Sequence, residues 1–272
     1  MRTNPNDPRR EEPRSLAAAI AHALLRGVYG TYALTLLAVL VLLAALLAFV
    51  LPVLSWRRAT TRSLARLWLA LAGLRLRVSG LDGVPAGSCV LVANHSSYLD
   101  GVVMKAALPP RFSFVIKREA SSMPVLGVLL QRIGSEFVDR HTRGGRQRDA
   151  RRVVERAEQG HSLVFFPEGT FDAVRGLKRF HVGAFVAAER GGAPVVPTVI
   201  RGARRSLPSG SYVPRPGRID VEVLAPIGGH GEPSEQLRDE ARALILARLD
   251  EPDLAAATPA AARRLDAVAR TA

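Results

Sequence analysis

Between Ala33 and Leu54 the chain runs for 22 residues without a charge, ALTLLAVLVLLAALLAFVLPVL. An amphipathic helix of a soluble domain would carry a polar stripe through such a window, and this one has none. About 20 apolar residues suffice to cross the hydrocarbon core of a bilayer, so the run reads as a membrane helix. It starts too far into the chain for an ordinary signal peptide. Pro52 predicts a kink near its end. Trp56, Arg57, Arg58, Arg62 and Arg66 follow at once, a pattern that anchors a helix at the cytoplasmic interface. Two arrangements fit. One is a single span with the globular part in the cytoplasm, and the other is a helical hairpin in one leaflet with 15–30 or 60–73 as the amphipathic partner. Residues 1–14, polar and proline-containing, read as a disordered tail, and 15–73 as the membrane-anchoring segment.

From residue 74 the period changes. Leu74, Leu76 and Val78 alternate with Arg75, Arg77 and Ser79, which predicts a strand. Further strands are predicted at 89–93, 112–116, 162–166, 194–200 and 218–224. Helix-like stretches lie between them, at roughly 100–107, 120–133, 146–159 and 180–190. The alternation gives an α/β class with a mixed, mostly parallel sheet flanked by helices. Residues 234–249 form an amphipathic helix with Ser234 as its N-cap. The globular domain is thus expected over 74–250, with 251–272 as an Ala-rich tail that is either a frayed helix or disordered from residue 254 on. There is no internal repeat.

Composition adds three constraints. At 48% apolar residues the chain can bury a core. The formal charge is +14, and all but three of the 38 basic residues are arginine. Nucleic acid, anionic membrane and phosphorylated substrates are the usual partners of such a surface, and an arginine-rich genome accounts for part of it. Single-stranded nucleic acid calls for aromatics interleaved with Arg. Aromatic content is only 6%, and the Arg-rich stretch 143–156 contains none, which argues against nucleic acid. The single cysteine, Cys89, excludes an intramolecular disulfide framework and reads as a core residue. His141, His161, His181 and His230 show no ligand spacing with carboxylates, so no metal is expected.

Function in open α/β sheets collects in loops after the C-terminal ends of strands. Two such loops stand out. Asn94-His95-Ser96-Ser97-Tyr98-Leu99-Asp100 follows the apolar run 89–93. One helical turn can bring Asp100 beneath the His95 imidazole, fixing its tautomer and leaving the other nitrogen to accept a proton from an alcohol. The chain lacks G-x-S-x-G, so the alcohol is a substrate's. Ser97-x-x-Asp100 is equally a capping box, under which Asp100 only caps a helix. The second loop, Pro167-Glu168-Gly169-Thr170-Phe171, follows 162–166 and sets a carboxylate at the end of a buried strand. Such a group needs a partner, for which Arg140 is the candidate, unless Arg140 itself holds an anionic substrate group.

Taken together these residues resemble the lysophospholipid acyltransferase family. NHSSYLD is similar to its N-H-x4-D block. EFVDR, with Arg140, resembles its second block, FPEGT its third, and Val196-Pro197 its fourth. RFHVGAF with Lys178 resembles the segment downstream of the third. The likeness runs over about residues 74–225. It implies acyl transfer from acyl-CoA or acyl-carrier protein, as co-substrate rather than cofactor, to a lysolipid hydroxyl. The acceptor it implies is 1-acyl-sn-glycerol-3-phosphate, giving phosphatidic acid. By the same likeness His95 is the general base and Asp100 its orienting partner. Arg140, Glu168, Gly169, Thr170 and Lys178 then belong to the substrate site. Partners are membrane lipids, and the catalytic part lies on the cytoplasmic side of a bacterial inner membrane. Phe171 departs from the family, in which Arg or Ser often follows FPEGT. Either Arg175, Lys178 and Arg179 compensate for the lost cation, or the acceptor is a different one, such as another lysophospholipid or a lyso-aminolipid. A non-catalytic lipid-binding protein on the same fold is the remaining alternative.

Overall fold

The computed structural model describes residues 16–139, 143–229 and 231–256. Helix α1 spans Leu16–Val50 and α2 spans Leu54–Leu71. Pro52 ends α1 instead of kinking it. Proline cannot donate to a continuing helix, and Leu51–Val53 become the turn between two antiparallel helices. Arg57 ties that turn, its Nε donating to the Leu51 carbonyl (2.7 Å) and Nη2 to that of Pro52 (3.1 Å). The Trp68 indole donates to the Ala33 carbonyl (3.0 Å) and the Tyr29 hydroxyl to that of Ala72 (2.8 Å). The amphipathic partner of the apolar helix is therefore α2, starting six residues earlier than 60.

The domain continues as β1 (Leu74–Ser79), β2 (Val90–Ala93), α3 (Leu99–Ala107), β3 (Ser113–Lys117), α4 (Leu126–Arg132), β4 (Glu136–Val138) and α5 (Arg143–Glu158). After these come β5 (Leu163–Phe165), α6 (Gly183–Arg190), β6 (Val195–Arg201), α7 (Ala203–Ser206), β7 (Gly217–Val223) and α8 (Ser234–Arg248). The sheet order is β1-β7-β6-β2-β5-β3-β4, and every neighbouring pair is parallel except β6–β7. Strand β4 falls inside the Arg140 block and has no strand expectation above. Its three residues are too few to show a period.

The sheet is covered on both faces, which is why its central strands read as continuous apolar runs. Cys89, Leu91 and Ala93 face α2 and α3, while Val90 and Val92 face α6 and α8. Leu91, Val90 and Val92 each contribute about 1.5–3 kcal/mol on burial. On the first face Trp68 and Leu69 of α2 pack with Leu40 of α1, Val103 and Met104 of α3, and Ile219 and Val221 of β7. Farther along α1 the small residues Ala44, Ala45 and Ala48 meet Leu129 and Ile133 of α4. Arg58, expected at the membrane interface, is buried instead. Its guanidinium donates to the carbonyls of Ile133 (2.8 Å), Arg111 (3.1 Å) and Gly134 (3.2 Å) and to Ser113 Oγ, joining α2 to the sheet.

Two expectations fail at the C-terminus. Ser234 is the first helical residue of α8, not its cap: Pro233 holds the cap position, and the Ser234 N–H goes to Glu189 (3.1 Å). The start of the Ala-rich tail is no free end, because residues 251–254 pack back onto the domain. Residues 1–15 and 257–272, like Arg140, His141, Thr142 and His230, lie outside the described residues.

Candidate active site

Strand β2 sits at the centre of the sheet, between β6 and β5, and ends at Ala93. Asn94 extends the ladder with its side chain. Its Nδ2 donates to the Ile200 carbonyl (3.0 Å) and its Oδ1 accepts the Ile200 N–H (2.7 Å). The main chain is thereby free to turn upward at His95. Ser97 fastens the far end of the turn, donating to the Leu207 carbonyl (2.7 Å) and accepting the Leu99 N–H (3.1 Å). Helix α3 then carries Asp100 in its first turn.

One oxygen of Asp100 receives three donors: His95 Nδ1 at 2.8 Å, the Ser96 N–H at 2.6 Å and the Ser97 N–H at 2.8 Å. The carboxylate is fully buried, and its other oxygen has no hydrogen-bond partner among the described residues. An acceptor-only carboxylate facing Nδ1 puts the ring proton there and leaves the Nε2 lone pair free. The two readings of Ser97-x-x-Asp100 therefore hold together. Asp100 closes the turn like a capping-box carboxylate and orients the imidazole with the same oxygen.

The second loop docks directly on the first. Glu168 is buried, and one of its oxygens accepts the His95 N–H (2.6 Å) while the other accepts the Lys178 N–H (2.9 Å). Burial pushes its carboxyl above the ordinary range, and the two backbone donors oppose that rise. Glu168 is thus turned inward as a clamp between loops. Among the described residues its hydrogen-bond partners are main-chain amides, those of His95 and Lys178. Gly169 closes a turn on the Phe166 carbonyl (3.0 Å) at a φ of +79°, a conformation that glycine adopts without strain. Thr170 is exposed beside it. The Lys178 ammonium pairs with Asp172. Arg175 pairs with Asp250, and Arg204 with Glu251. Arg140 lies outside the described residues. The strand leading to it is fixed by Asp149, which accepts the Asp139 N–H (2.7 Å) and binds Arg118. In α5, Arg152 and Arg156 turn to Glu136 (3.3 and 3.0 Å), so these two arginines are spent on the protein itself.

Aromatics enclose the imidazole. Phe166 stacks on His95 with ring centroids 4.4 Å apart, Phe171 meets it edge-on at 4.6 Å, and Tyr98 meets Phe171 at 4.7 Å. His95 keeps 19% of its side chain accessible. The Asn94 clamp and the aromatic walls were not anticipated from the sequence. The only signal for the walls was the placing of Phe166 and Phe171 around PEGT.

Comparison with known proteins bears on the domain that carries these loops. Residues 75–201 match the acyltransferase family. A chloroplastic 1-acyl-sn-glycerol-3-phosphate acyltransferase of Arabidopsis thaliana is 29% identical over 201 residues, which is 72% of this chain and 56% of that one. A human lysophospholipid acyltransferase is 37% identical over 160 residues, 55% of this chain and 29% of that one. The chain therefore spans little more than half of the first relative and under a third of the second. Among solved structures, the 1-acyl-sn-glycerophosphate acyltransferase of Thermotoga maritima shares the fold. Its TM-score is 0.70 at 20% identity, over 84% of this chain and 95% of that one. Residues 75–201, with the His95 and Glu168 loops inside them, form an acyltransferase domain similar to those of 1-acyl-sn-glycerol-3-phosphate and lysophospholipid acyltransferases.

Proposed function

We propose that this protein transfers a fatty acyl group from a thioester donor, acyl-CoA or acyl-carrier protein, to the free hydroxyl of a lysophospholipid. The acceptor is 1-acyl-sn-glycerol-3-phosphate and the product phosphatidic acid. The observation that carries the reading is the 2.8 Å contact between His95 Nδ1 and a buried Asp100 that main-chain amides hold in place. His95 Nε2 takes the hydroxyl proton as the oxygen attacks the thioester carbonyl. Asp100 stabilises the imidazolium. Collapse of the tetrahedral intermediate breaks the C–S bond, and the imidazolium returns the proton to the departing thiolate. The thioester is already activated, so the reading needs no metal, resident cofactor or covalent enzyme intermediate. Lys178, Gly169 and Thr170 border the acceptor site beside the base, and Arg140 takes the phosphate.

A second acceptor reading has its own observation. Phe171 stands against His95, and Lys178 and Arg175 are already matched by Asp172 and Asp250. That surface suits a lysophospholipid whose headgroup is not a phosphomonoester. Membrane attachment is assigned to α1, whose segment Ala23–Val50 is long and apolar enough to cross a bilayer. Contacts with α2 and α4 run along it from Tyr29 to Arg132's bond with the Ala48 carbonyl. Its other side exposes Val28, Val39, Leu42, Leu46 and Val50. This favours the hairpin in one leaflet, with the domain on the cytoplasmic side. The test is acyl transfer by detergent-purified protein and His95→Ala, with both donors offered against lysolipids of different headgroup. Loss of the diacyl product in the variant is expected. A His95→Ala protein of full activity would remove His95 as the base.

A further inference from the structure

The chain does not leave the domain at the end of α8. Residues Asp250–Leu254 return across the loop that runs from Glu168 to Lys178. The Leu177 N–H donates to the Pro252 carbonyl (2.9 Å), and the Leu254 N–H donates to the Leu177 carbonyl (3.0 Å). The Gly176 N–H donates to Glu251 (3.0 Å). Gly176 is held so close that a Cβ there would lie 2.5 Å from Leu254 Cγ and 2.7 Å from the Pro252 carbonyl oxygen.

Two arginines complete the seam. Arg204 joins Glu251 (3.3 Å) to the Asp172 carbonyl (2.9 Å). Arg242 binds both oxygens of Asp253 (3.0 and 2.5 Å), and its remaining donors reach the carbonyls of Leu177 and Lys178, each at 3.0 Å. Asp253 in turn caps the Ala255 N–H (2.8 Å). The Arg242 guanidinium holds the Asp253 carboxyl down to about 2. The N–H groups of Gly176, Leu177 and Lys178 and the carbonyls of Leu177 and Lys178 are thus fixed by the returning segment, by Arg242 that it holds, or by Glu168.

That last group leads to the base. The Lys178 N–H is the second donor on Glu168, whose other oxygen holds the His95 N–H. An unbroken line of contacts runs from Asp253 through Arg242, Lys178 and Glu168 to His95. We propose that Asp250–Leu254 is a positioning strap for the acyl-transfer site, with Glu251 and Asp253 as positioning residues that act on His95 through the 176–178 loop and Glu168. The catalytic consequence rests on the function proposed above; the mechanical coupling does not.

The experiment uses the full chain in detergent, comparing wild type with Asp253→Asn and Glu251→Gln. Hydrogen–deuterium exchange is followed in peptides covering 94–98, 175–179 and the central strand β6, and acyl-transfer kinetics are measured in parallel. In either variant, faster exchange is expected at 175–179 and also at 94–98, with β6 unchanged. The kinetic expectation is a tenfold or greater fall in kcat with the donor KM unmoved. A merely structural segment would loosen 175–179 and leave both 94–98 and kcat at wild-type values, and that result overturns the proposal. Should Asp253→Asn fail to fold, Glu251→Gln decides alone. Should wild type transfer no acyl group to any acceptor, the function reading fails while exchange at 94–98 still decides the coupling.

Discussion

Replacing Asp100 with asparagine separates charge from geometry at this site. All three donors on Asp100 converge on one oxygen, and the other oxygen is buried and unpartnered among the described residues. In Asp100→Asn, a side-chain carbonyl placed where that first oxygen stands keeps every one of those bonds and the same histidine tautomer. The flipped amide would turn a donor toward three donors, so one orientation prevails. The carboxamide NH2 then occupies the unpartnered position, at a cost of about 1–3 kcal/mol in stability. The catalytic cost is larger. An anion about 4 Å from an imidazolium, at an effective dielectric of about 20, contributes about 4 kcal/mol. Its loss in the transition state corresponds to about a thousandfold in kcat. The assay is thiol release from acyl-CoA with 1-acyl-sn-glycerol-3-phosphate in micelles, read as kcat and KM alongside the unfolding midpoint. Asp100→Asn should melt within several degrees of wild type yet lose two to three decades in kcat. If kcat stays within threefold of wild type, Asp100 is only the cap of α3 and the base assignment falls with it.

Other substitutions test other parts of the argument. Phe171→Ala removes an edge-on aromatic contact of about 0.5–1.5 kcal/mol and opens His95 to water; the ratio of thioester hydrolysis to acyl transfer should rise. Trp68→Phe loses the indole bond to the Ala33 carbonyl, about 1 kcal/mol; the unfolding midpoint should drop while kcat per folded molecule is unchanged. Lys105 of α3 has its amine pushed down to about 7, first by burial and then by Arg58 and Arg62. An unfolded lysine titrates at about 10.4, so the unfolded state binds more protons between those values and stability rises with pH across that window. Lys105→Met should therefore raise the midpoint most below pH 7, and the gain should shrink toward pH 10; a pH-independent difference would contradict the burial argument.

How far the sequence could be read depended on whether a feature is periodic. Strands β1, β2, β3, β5, β6 and β7 were all marked by alternation or by short apolar runs, because each is covered on one or both faces. The short β4 was not, since three residues cannot display a period. The two site loops were legible because polar residues abruptly follow buried strands. Their mutual docking was not, because Glu168 and His95 are 73 residues apart and meet only through the adjacency of β2 and β5. Glu168 was expected to need an ionic or hydrogen-bonding partner. Its needs are met by two amides, and no composition rule anticipates that a carboxylate will be spent on main chain. The strap was missed for the opposite reason: the few carboxylates at 250–253 carry no periodic signal, and their meaning comes from Arg242 of the preceding helix and Arg204 of α7, 47 residues from Glu251.

The same logic changes what the +14 charge means. A guanidinium offers five donors in a rigid fork, and here many of those forks close on main-chain carbonyls. Arg132 binds the Ala48 and Phe49 carbonyls at the end of α1, and Arg66 and Arg62 bind those of Ala106 and Ala107 at the end of α3. These helix ends have orphan acceptors and the negative pole of the dipole, so a cation from a neighbouring element satisfies both. Arg111 grips the carbonyls of Pro85, Ala86 and Gly87, and Arg58 holds four oxygens inside the domain. Lysine, with a compact ammonium on a flexible stem, would bridge two or three carbonyls less well. That is a physical reason for arginine to outnumber it so heavily in these seams. The charge that reaches solvent, and so attracts an anionic lipid surface or a phosphorylated donor, belongs to the remainder, such as Arg148 and Arg151 on the outer face of α5.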